Sequence, residues 1–327
     1  MYKSKLDLID TEKGIKLIKD TFEKKLSKEL NLLRVSGPLF VTHKSGLNDN
    51  LNGVEEPVNF KINGVDDSLE IVHSLAKWKR YALKIYDIPI DKGIYTDMNA
   101  IRKDENEDAL HSIYVDQWDW EKHISIEERN IAFLKKSVKK IYKAILETQK
   151  IILKNFPILD RVFENKITFI SSSKLLKMYP NLSPKERENE ICKKYGSVFI
   201  MQIGGKLKDG TVHDLRAPDY DDWKLNGDIL IYYKPLNKAV ELSSMGIRVD
   251  KASLMKQLVE TNNLERINLP FHKALLDDLL PLSIGGGIGQ SRLCLVMLNK
   301  IHIGEVQSSI WNKKEQEEAL KNNIKLL

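Results

Sequence analysis

Strand-like runs joined by turns too short to hold a crossover helix set the strongest limit on what this chain can fold into. Gly227–Tyr233 and Ala239–Leu242 read as two strands meeting across Pro235–Lys238. Val198–Ile203 ends in Gly204-Gly205, and the Asp209-Gly210 turn after it predicts a hairpin with Val212–Leu215. Val58–Ile62 and Leu69–Val72 flank the turn Asn63–Ser68. Parallel neighbours need crossovers of about a dozen residues or more, so such turns dictate antiparallel pairing. Helical periodicity falls between these runs. Ile15, Leu17, Ile18, Phe22 and Leu26 predict a helix over 10–30, and Ile131, Leu134, Val138, Ile141, Ile145 and Ile152 one over Ser125–Asn155. Ser183 and Asp250 cap two more, to about Tyr195 and Glu260, and Pro270 opens another. The expected class is α+β, a mostly antiparallel sheet flanked by helices, rather than the βαβ alternation of a dinucleotide fold. No repeat, low-complexity tract or linker divides the chain, so residues 1–327 read as one catalytic domain.

Ile284–Leu293, Ile-Gly-Gly-Gly-Ile-Gly-Gln-Ser-Arg-Leu, is the densest glycine run. It predicts a turn free to adopt positive φ, with Gly289–Arg292 opening a buried helix whose first N–H groups suit an anion. It is not a Walker A loop, because no Gly-Lys-Ser/Thr follows. It is not a dinucleotide fingerprint either, because Gln290 stands where the third glycine would fall. Composition narrows the field further. Net charge is +6 from 52 basic and 46 acidic residues, which accommodates an anionic ligand without demanding nucleic acid. Cys192 and Cys294 stand far apart with no CxxC, which excludes a disulfide scaffold or zinc finger and fits a reducing cytosol. No run of 18 apolar residues occurs, so the expectation is a cytoplasmic protein with no membrane partner.

Several polar positions are candidates for chemistry. The loop His43–Gly53 is long for a connector and carries Asp49, which on its own reads as a turn aspartate. In His73–Tyr81, Lys77, Lys79 and Arg80 surround Trp78: a nucleic-acid patch, or one helix carrying cations over buried Leu75 and Trp78, or a solvated face for Lys77 and Lys79. Arg102 leaves the strand-like run Gly93–Ile101, with Glu105 three residues on. In the next run, Ile113, Val115, Gln117 and Asp119 alternate with Tyr114, Asp116, Trp118 and Trp120. Polar groups on a sheet's inner face need a ligand or a network to satisfy them. Asp219, Asp221 and Asp222 with Arg216 offer magnesium, a base or a solvated turn. Asp228 and Glu241 are paired carboxylates on adjacent strands, suited to a divalent cation on a triphosphate.

Seven blocks in order, Asn48–Gly53, His73–Arg80, His111–Trp120, Arg216–Trp223, Asn226–Leu230, Glu241–Val249 and Ile284–Leu293, resemble those of the ammonia-dependent asparagine synthetases (aspartate–ammonia ligases, AMP-forming). The likeness runs from the first helix to near the C-terminus. It implies the catalytic fold of class II aminoacyl-tRNA synthetases, an eight-stranded sheet and a homodimer. It implies that aspartate and ATP give a β-aspartyl-adenylate and pyrophosphate, and that ammonia then releases asparagine and AMP. Arg102 and Arg292 would take the phosphates, and Asp228 and Glu241 would hold Mg2+. Glu105, Ser112, Arg216, Asp221 and the backbone at Val115 and Gly289 would meet the nucleotide. Asp119 would pair with the α-ammonium, with Gln117 bridging. Lys79 or Arg248 would hold the α-carboxylate, with hydrogen bonds from Ser74, Ser244 and Gln290. Asp49 would draw in ammonium and take its proton. One departure is a short segment between Trp223 and Asn226, expected to alter a loop near the site. Tyr2 stands where a glutamine-dependent enzyme would need a cysteine, which points to ammonia as the nitrogen source.

Overall fold

A computed structural model of the protein describes residues 2–49, 51 and 55–327. Asn50, Asn52 and Gly53 of the Asn48–Gly53 block lie outside them. In chain order the elements are α1 (Leu8–Leu30), β1 (Leu32–Arg34), β2 (Phe40–Thr42), β3 (Asn59–Phe60), β4 (Leu69–Ile71), α2 (Ala76–Ile85), β5 (Gly93–Ile101), β6 (Tyr114–His123) and α3 (Ile131–Asn155). There follow β7 (Thr168–Ser171), α4 (Ser172–Met178), α5 (Pro184–Tyr195), β8 (Ser197–Met201), β9 (Asp221–Tyr233), β10 (Lys238–Arg248) and α6 (Lys251–Glu260). The chain ends with α7 (Pro270–Leu276), β11 (Ser283–Gly289), α8 (Gln290–Met297) and α9 (Lys313–Lys321).

Eight strands form one sheet in the order β1-β5-β6-β11-β10-β9-β8-β7, parallel only at its two edge pairs, β1–β5 and β7–β8. The short turn between Tyr233 and Lys238 makes β9–β10 the antiparallel hairpin the sequence predicts, while the other antiparallel pairs of the centre are joined by longer segments. Trp118 and Trp120 of β6 point into the main core with Ile18, Phe22 and Leu26 of α1, Leu134, Val138 and Ile141 of α3, and Leu293–Leu298. Phe22 and Trp118 meet with ring centroids 4.7 Å apart. One side of β6 is thus committed to core, and the alternate residues Gln117 and Asp119 are turned to the opposite face.

Five expectations need correction. The glycine run is the strand β11, and none of Gly285, Gly286, Gly287 or Gly289 has positive φ. The central hairpin is longer than predicted, because Asn226-Gly227 continues β9 instead of opening it. For the same reason the segment between Trp223 and Asn226 is part of a strand and no loop is shortened there. Lys206 and Val212 form a single bridge in place of the expected hairpin around Asp209-Gly210. Helix α3 starts at Ile131 behind an Asn130 cap, with Ser125–Arg129 in turns. No helix among the described residues is long and apolar enough to cross a membrane.

Candidate active site

On the Gln117–Asp119 face a cleft of about 700 Å³ runs across the middle strands of the sheet. The register of β6 against β11 explains the glycines. Gly285 stands opposite Glu121, Gly287 opposite Asp119 and Gly289 opposite Gln117. A Cβ on Gly285 would fall on Glu121 Oε2, and one on Gly287 on Gln117 Oε1. Alternate glycines clear the room that three polar side chains of the next strand occupy. The run is needed for close approach, not for turning.

At one end of the cleft the charges are paired and buried. Lys79 Nζ donates to Asp119 Oδ1 at 2.8 Å and to the Gly286 carbonyl at 3.0 Å. Burial lowers its pKa, with Arg248 adding to the effect and Asp119 opposing it. Arg248 is gripped from two sides: Glu121 accepts from Nε and Nη2 at 2.9 and 2.6 Å, and Asp221 accepts from Nη1 at 2.5 Å. Burial raises both carboxyls, but Arg248 and Lys79 overcome it at Glu121, which is held below the usual range. Asp221 stays above that range. Asp221, expected on the nucleotide, therefore belongs to this end. Lys77 and Lys79, for which a solvated face was one option, are 2% and 1% exposed.

Asp49 lies beside this end, 3% exposed. Its Oδ2 accepts from Ser74 Oγ at 2.8 Å and its Oδ1 from the Leu51 amide at 2.9 Å. Tyr220 shares the wall. Its phenol is pushed well above its ordinary pKa by burial and by the charges of Asp49 and Asp221.

The other end holds arginines. Arg102 makes one long bond, 3.3 Å to the His73 carbonyl, and its buried Nε has no partner among the described residues. Arg292 reaches the carbonyls of Leu110 and Glu241 at 3.4 and 3.2 Å. Arg216 pairs with Asp228 and, at 3.3 Å, with Asp214. Asp228 faces Ser244 across the strands and Glu241 faces Leu230, so the two carboxylates are diagonal neighbours. Burial raises Glu241, yet Arg216, Arg292 and Lys185 outweigh it and keep its carboxyl below the usual range. Glu105, Ser112, Val115 and Gly289 line the same end, and Ser244 lies on the wall between the two ends.

Two expectations are not met. Gln290 is turned away from the cleft, its amide donating to Asp97 Oδ1 at 3.0 Å. The start of α8 is not open to a phosphate, because Asp116 already caps it, accepting from the Ser291 amide at 3.0 Å and the Ser291 hydroxyl at 2.8 Å.

Residues 9–323 match the family model described as aspartate–ammonia ligase. An aspartate–ammonia ligase of Fusobacterium nucleatum is 57% identical over 326 residues, spanning 100% of this chain and 99% of its own. The chain belongs to the aspartate–ammonia ligase family. Another relative, the aspartate–ammonia ligase of Clostridium tetani, is 58% identical over 311 residues, 95% of this chain and 91% of its own. Among solved structures, asparaginyl-tRNA synthetase of Entamoeba histolytica in complex with asparaginyl-adenylate superposes with a TM-score of 0.62 at 14% identity, covering 92% of this chain and 66% of that one. Its counterpart from Pyrococcus horikoshii gives 0.59 at 14%, covering 91% and 68%. At that identity the likeness establishes the class II synthetase catalytic fold and nothing further. As a member of its family the chain is a ligase of aspartate and ammonia, a pairing whose product is asparagine.

Sequence reasoning missed Glu121, Tyr220 and Gln307 in and around this ligase's cleft. Glu121 had a signal: it continues the two-residue alternation of Gln117 and Asp119, and the expected strand stopped one residue short. The acidic stretch also hides an anchor. Asp219 Oδ2 accepts from Arg266 and His272 at 3.0 Å each, with Lys77 at 3.5 Å. Burial raises its carboxyl pKa, but the Lys77 charge, the hydrogen bond from His272 and the Arg266 charge hold it far below the usual range. A depressed folded pKa means stability that is present above the unfolded value, about 3.9, and is lost as pH falls through the folded one. Asp219→Asn should therefore cost about 3–5 kcal/mol at pH 7 by stranding buried cations. In urea unfolding, the gap from wild type should narrow below about pH 4. A gap independent of pH would mean that the Asp219 charge does not anchor this stretch.

Proposed function

We propose that the ligase works through a β-aspartyl-adenylate, with both half-reactions in the one cleft. The observation that carries this reading is the division of the cleft into a buried zwitterionic end and an arginine end along one continuous wall. Asp119 and Asp221 offer carboxylates to the α-ammonium. Lys79 and Arg248 offer cations to the α-carboxylate, which would keep that group away from phosphorus and leave the β-carboxyl as the nucleophile. Gln117 bridges the two ends. Arg102, with unspent donors, faces the α-phosphate of ATP, and Arg292 and Arg216 face the rest of the triphosphate. A β-carboxylate oxygen attacks the α-phosphorus, and the bond to pyrophosphate breaks. Fixed guanidinium groups meet the charge that develops there.

Asp228 and Glu241 would hold Mg2+. Asp228 Oδ1 is buried without a partner among the described residues, the kind of acceptor a cation satisfies. Among those residues no group of three or more His, Cys, Asp or Glu is set for a metal, which suits an ion that takes its other ligands from phosphate and water. When bound, it neutralises phosphate charge.

In the second step Asp49 draws ammonium to the adenylate and accepts its proton. The ammonia so formed attacks the β-carbonyl carbon, the bond from that carbon to the AMP oxygen breaks, and the nitrogen loses its extra proton to the departing phosphate or solvent, leaving asparagine and AMP. A homodimer belongs to the same reading, and the exposed Leu33 of β1 with Leu39 and Phe40 at the start of β2 are apolar surface it would cover. Product analysis tests the proposal. Aspartate, ATP, Mg2+ and ammonium should yield asparagine, AMP and pyrophosphate in equal amounts, whereas ADP and phosphate would overturn it.

A further inference from the structure

The small second sheet, β2-β4-β3, is tied to the amino-acid end of the cleft through Asn48, which is 5% exposed. Asn48 Nδ2 donates to Glu70 Oε2 on β4 at 3.1 Å and to the Ile71 carbonyl at 3.3 Å. Its Oδ1 accepts from the amides of Asp49 and His73, both at 2.9 Å. An asparagine amide has two donors and two lone pairs, and all four are in use. The other Glu70 oxygen, Oε1, lies 2.5 Å from His43 Nδ1.

This amide cannot be reversed. Turned round, it would set its NH2 against two backbone N–H groups and its oxygen against a carboxylate and a carbonyl. Its oxygen therefore holds the amides of Asp49 and His73 side by side. The consequence appears in the side chains that follow. Ser74 Oγ donates to Asp49 Oδ2 at 2.8 Å, and His73 Nδ1 lies 3.1 Å from the Asp49 carbonyl. Asp49 and Ser74 line the cleft, whereas Asn48 is no part of its wall. Arg102 touches the His73 carbonyl at 3.3 Å, too long a bond to transmit much to the arginine end.

Given the role of Asp49 proposed above, we infer that Asn48 is a positioning residue for the second half-reaction. It acts through Asp49, setting where that carboxylate stands against Ser74 and so against the incoming ammonium. A displacement of about 1 Å at a reacting group can cost about 10²-fold in rate. Asn48 therefore governs the use of ammonia, and β4 supplies its frame through Glu70.

The test measures pyrophosphate exchange and asparagine formation by the intact enzyme carrying Asn48→Asp. That change keeps an oxygen for the two amides but sets a second carboxylate against Glu70 Oε2, where the NH2 stood at 3.1 Å. Exchange should stay within about threefold of wild type, while asparagine formation falls by about 10–10²-fold. Adding Glu70→Gln restores a pairing of NH2 with oxygen, its polarity reversed, and should recover asparagine formation by at least about fivefold. A general loss of folded enzyme would lower both rates alike. If Asn48→Asp does not fold, Asn48→Ser, which removes the amide without adding charge, is read in its place with the same split expected. Both rates falling together, neither falling, or no recovery in the double variant would overturn the assignment. Asp49→Asn, measured alongside, keeps the two readings apart. If it splits the rates and Asn48→Asp does not, only the role of Asn48 fails; if Asp49→Asn does not split them, the role of Asp49 fails.

Discussion

Asp49→Asn should exchange pyrophosphate into ATP in the presence of aspartate at close to the wild-type rate, yet form asparagine about 10²–10⁴-fold more slowly. The substitution keeps the size of the side chain and an oxygen for the Ser74 hydroxyl, which donates at 2.8 Å. It removes the negative charge and the basic oxygen. On the proposed route the first half-reaction needs neither, because its charges would be handled at the arginine end. The second needs both, since ammonium must be drawn in and must lose a proton before nitrogen can attack. Equal loss in both assays would mean that Asp49 acts through the shape of the amino-acid end and not through proton transfer.

Arg102→Ala should depress both assays together, by about 10³-fold, the scale for removing a fixed donor from a developing oxyanion. Arg102 is poised for this. Its contact to the His73 carbonyl is long at 3.3 Å and its Nε is buried without a partner among the described residues. Arg102→Lys should recover little, since a single ammonium cannot reproduce the planar fork. The contrast between the two positions is the informative result. An Arg102 variant that lost asparagine formation alone would show that this guanidinium does not serve adenylate formation.

Much of this was legible in local pattern. The two-residue alternation around Trp118 turned Gln117 and Asp119 to one face, and the short turn after Tyr233 marked β9 and β10 as an antiparallel pair. The glycine run drew attention for a conformational reason and turned out to matter for a steric one. Its meaning depends on the register with β6, which a single strand's sequence cannot supply. Asp221 and Gln290 failed for a related reason. Each was judged by its neighbours in sequence, whereas its partner came from elsewhere, Arg248 for the first and Asp97 for the second. Asp116 looked like a strand residue and is the cap of a helix 175 positions on. Gln307 gave no local signal at all, because its environment exists only once the chain has returned to the Ser112 loop.

The account rests on an acyl phosphate anhydride between the aspartate side chain and AMP. Aspartate carrying ¹⁸O in its β-carboxyl group, turned over with unlabelled ATP and ammonium, should pass one labelled oxygen to the phosphate of AMP and keep the other in the asparagine amide. AMP free of label, with asparagine still formed, would contradict it.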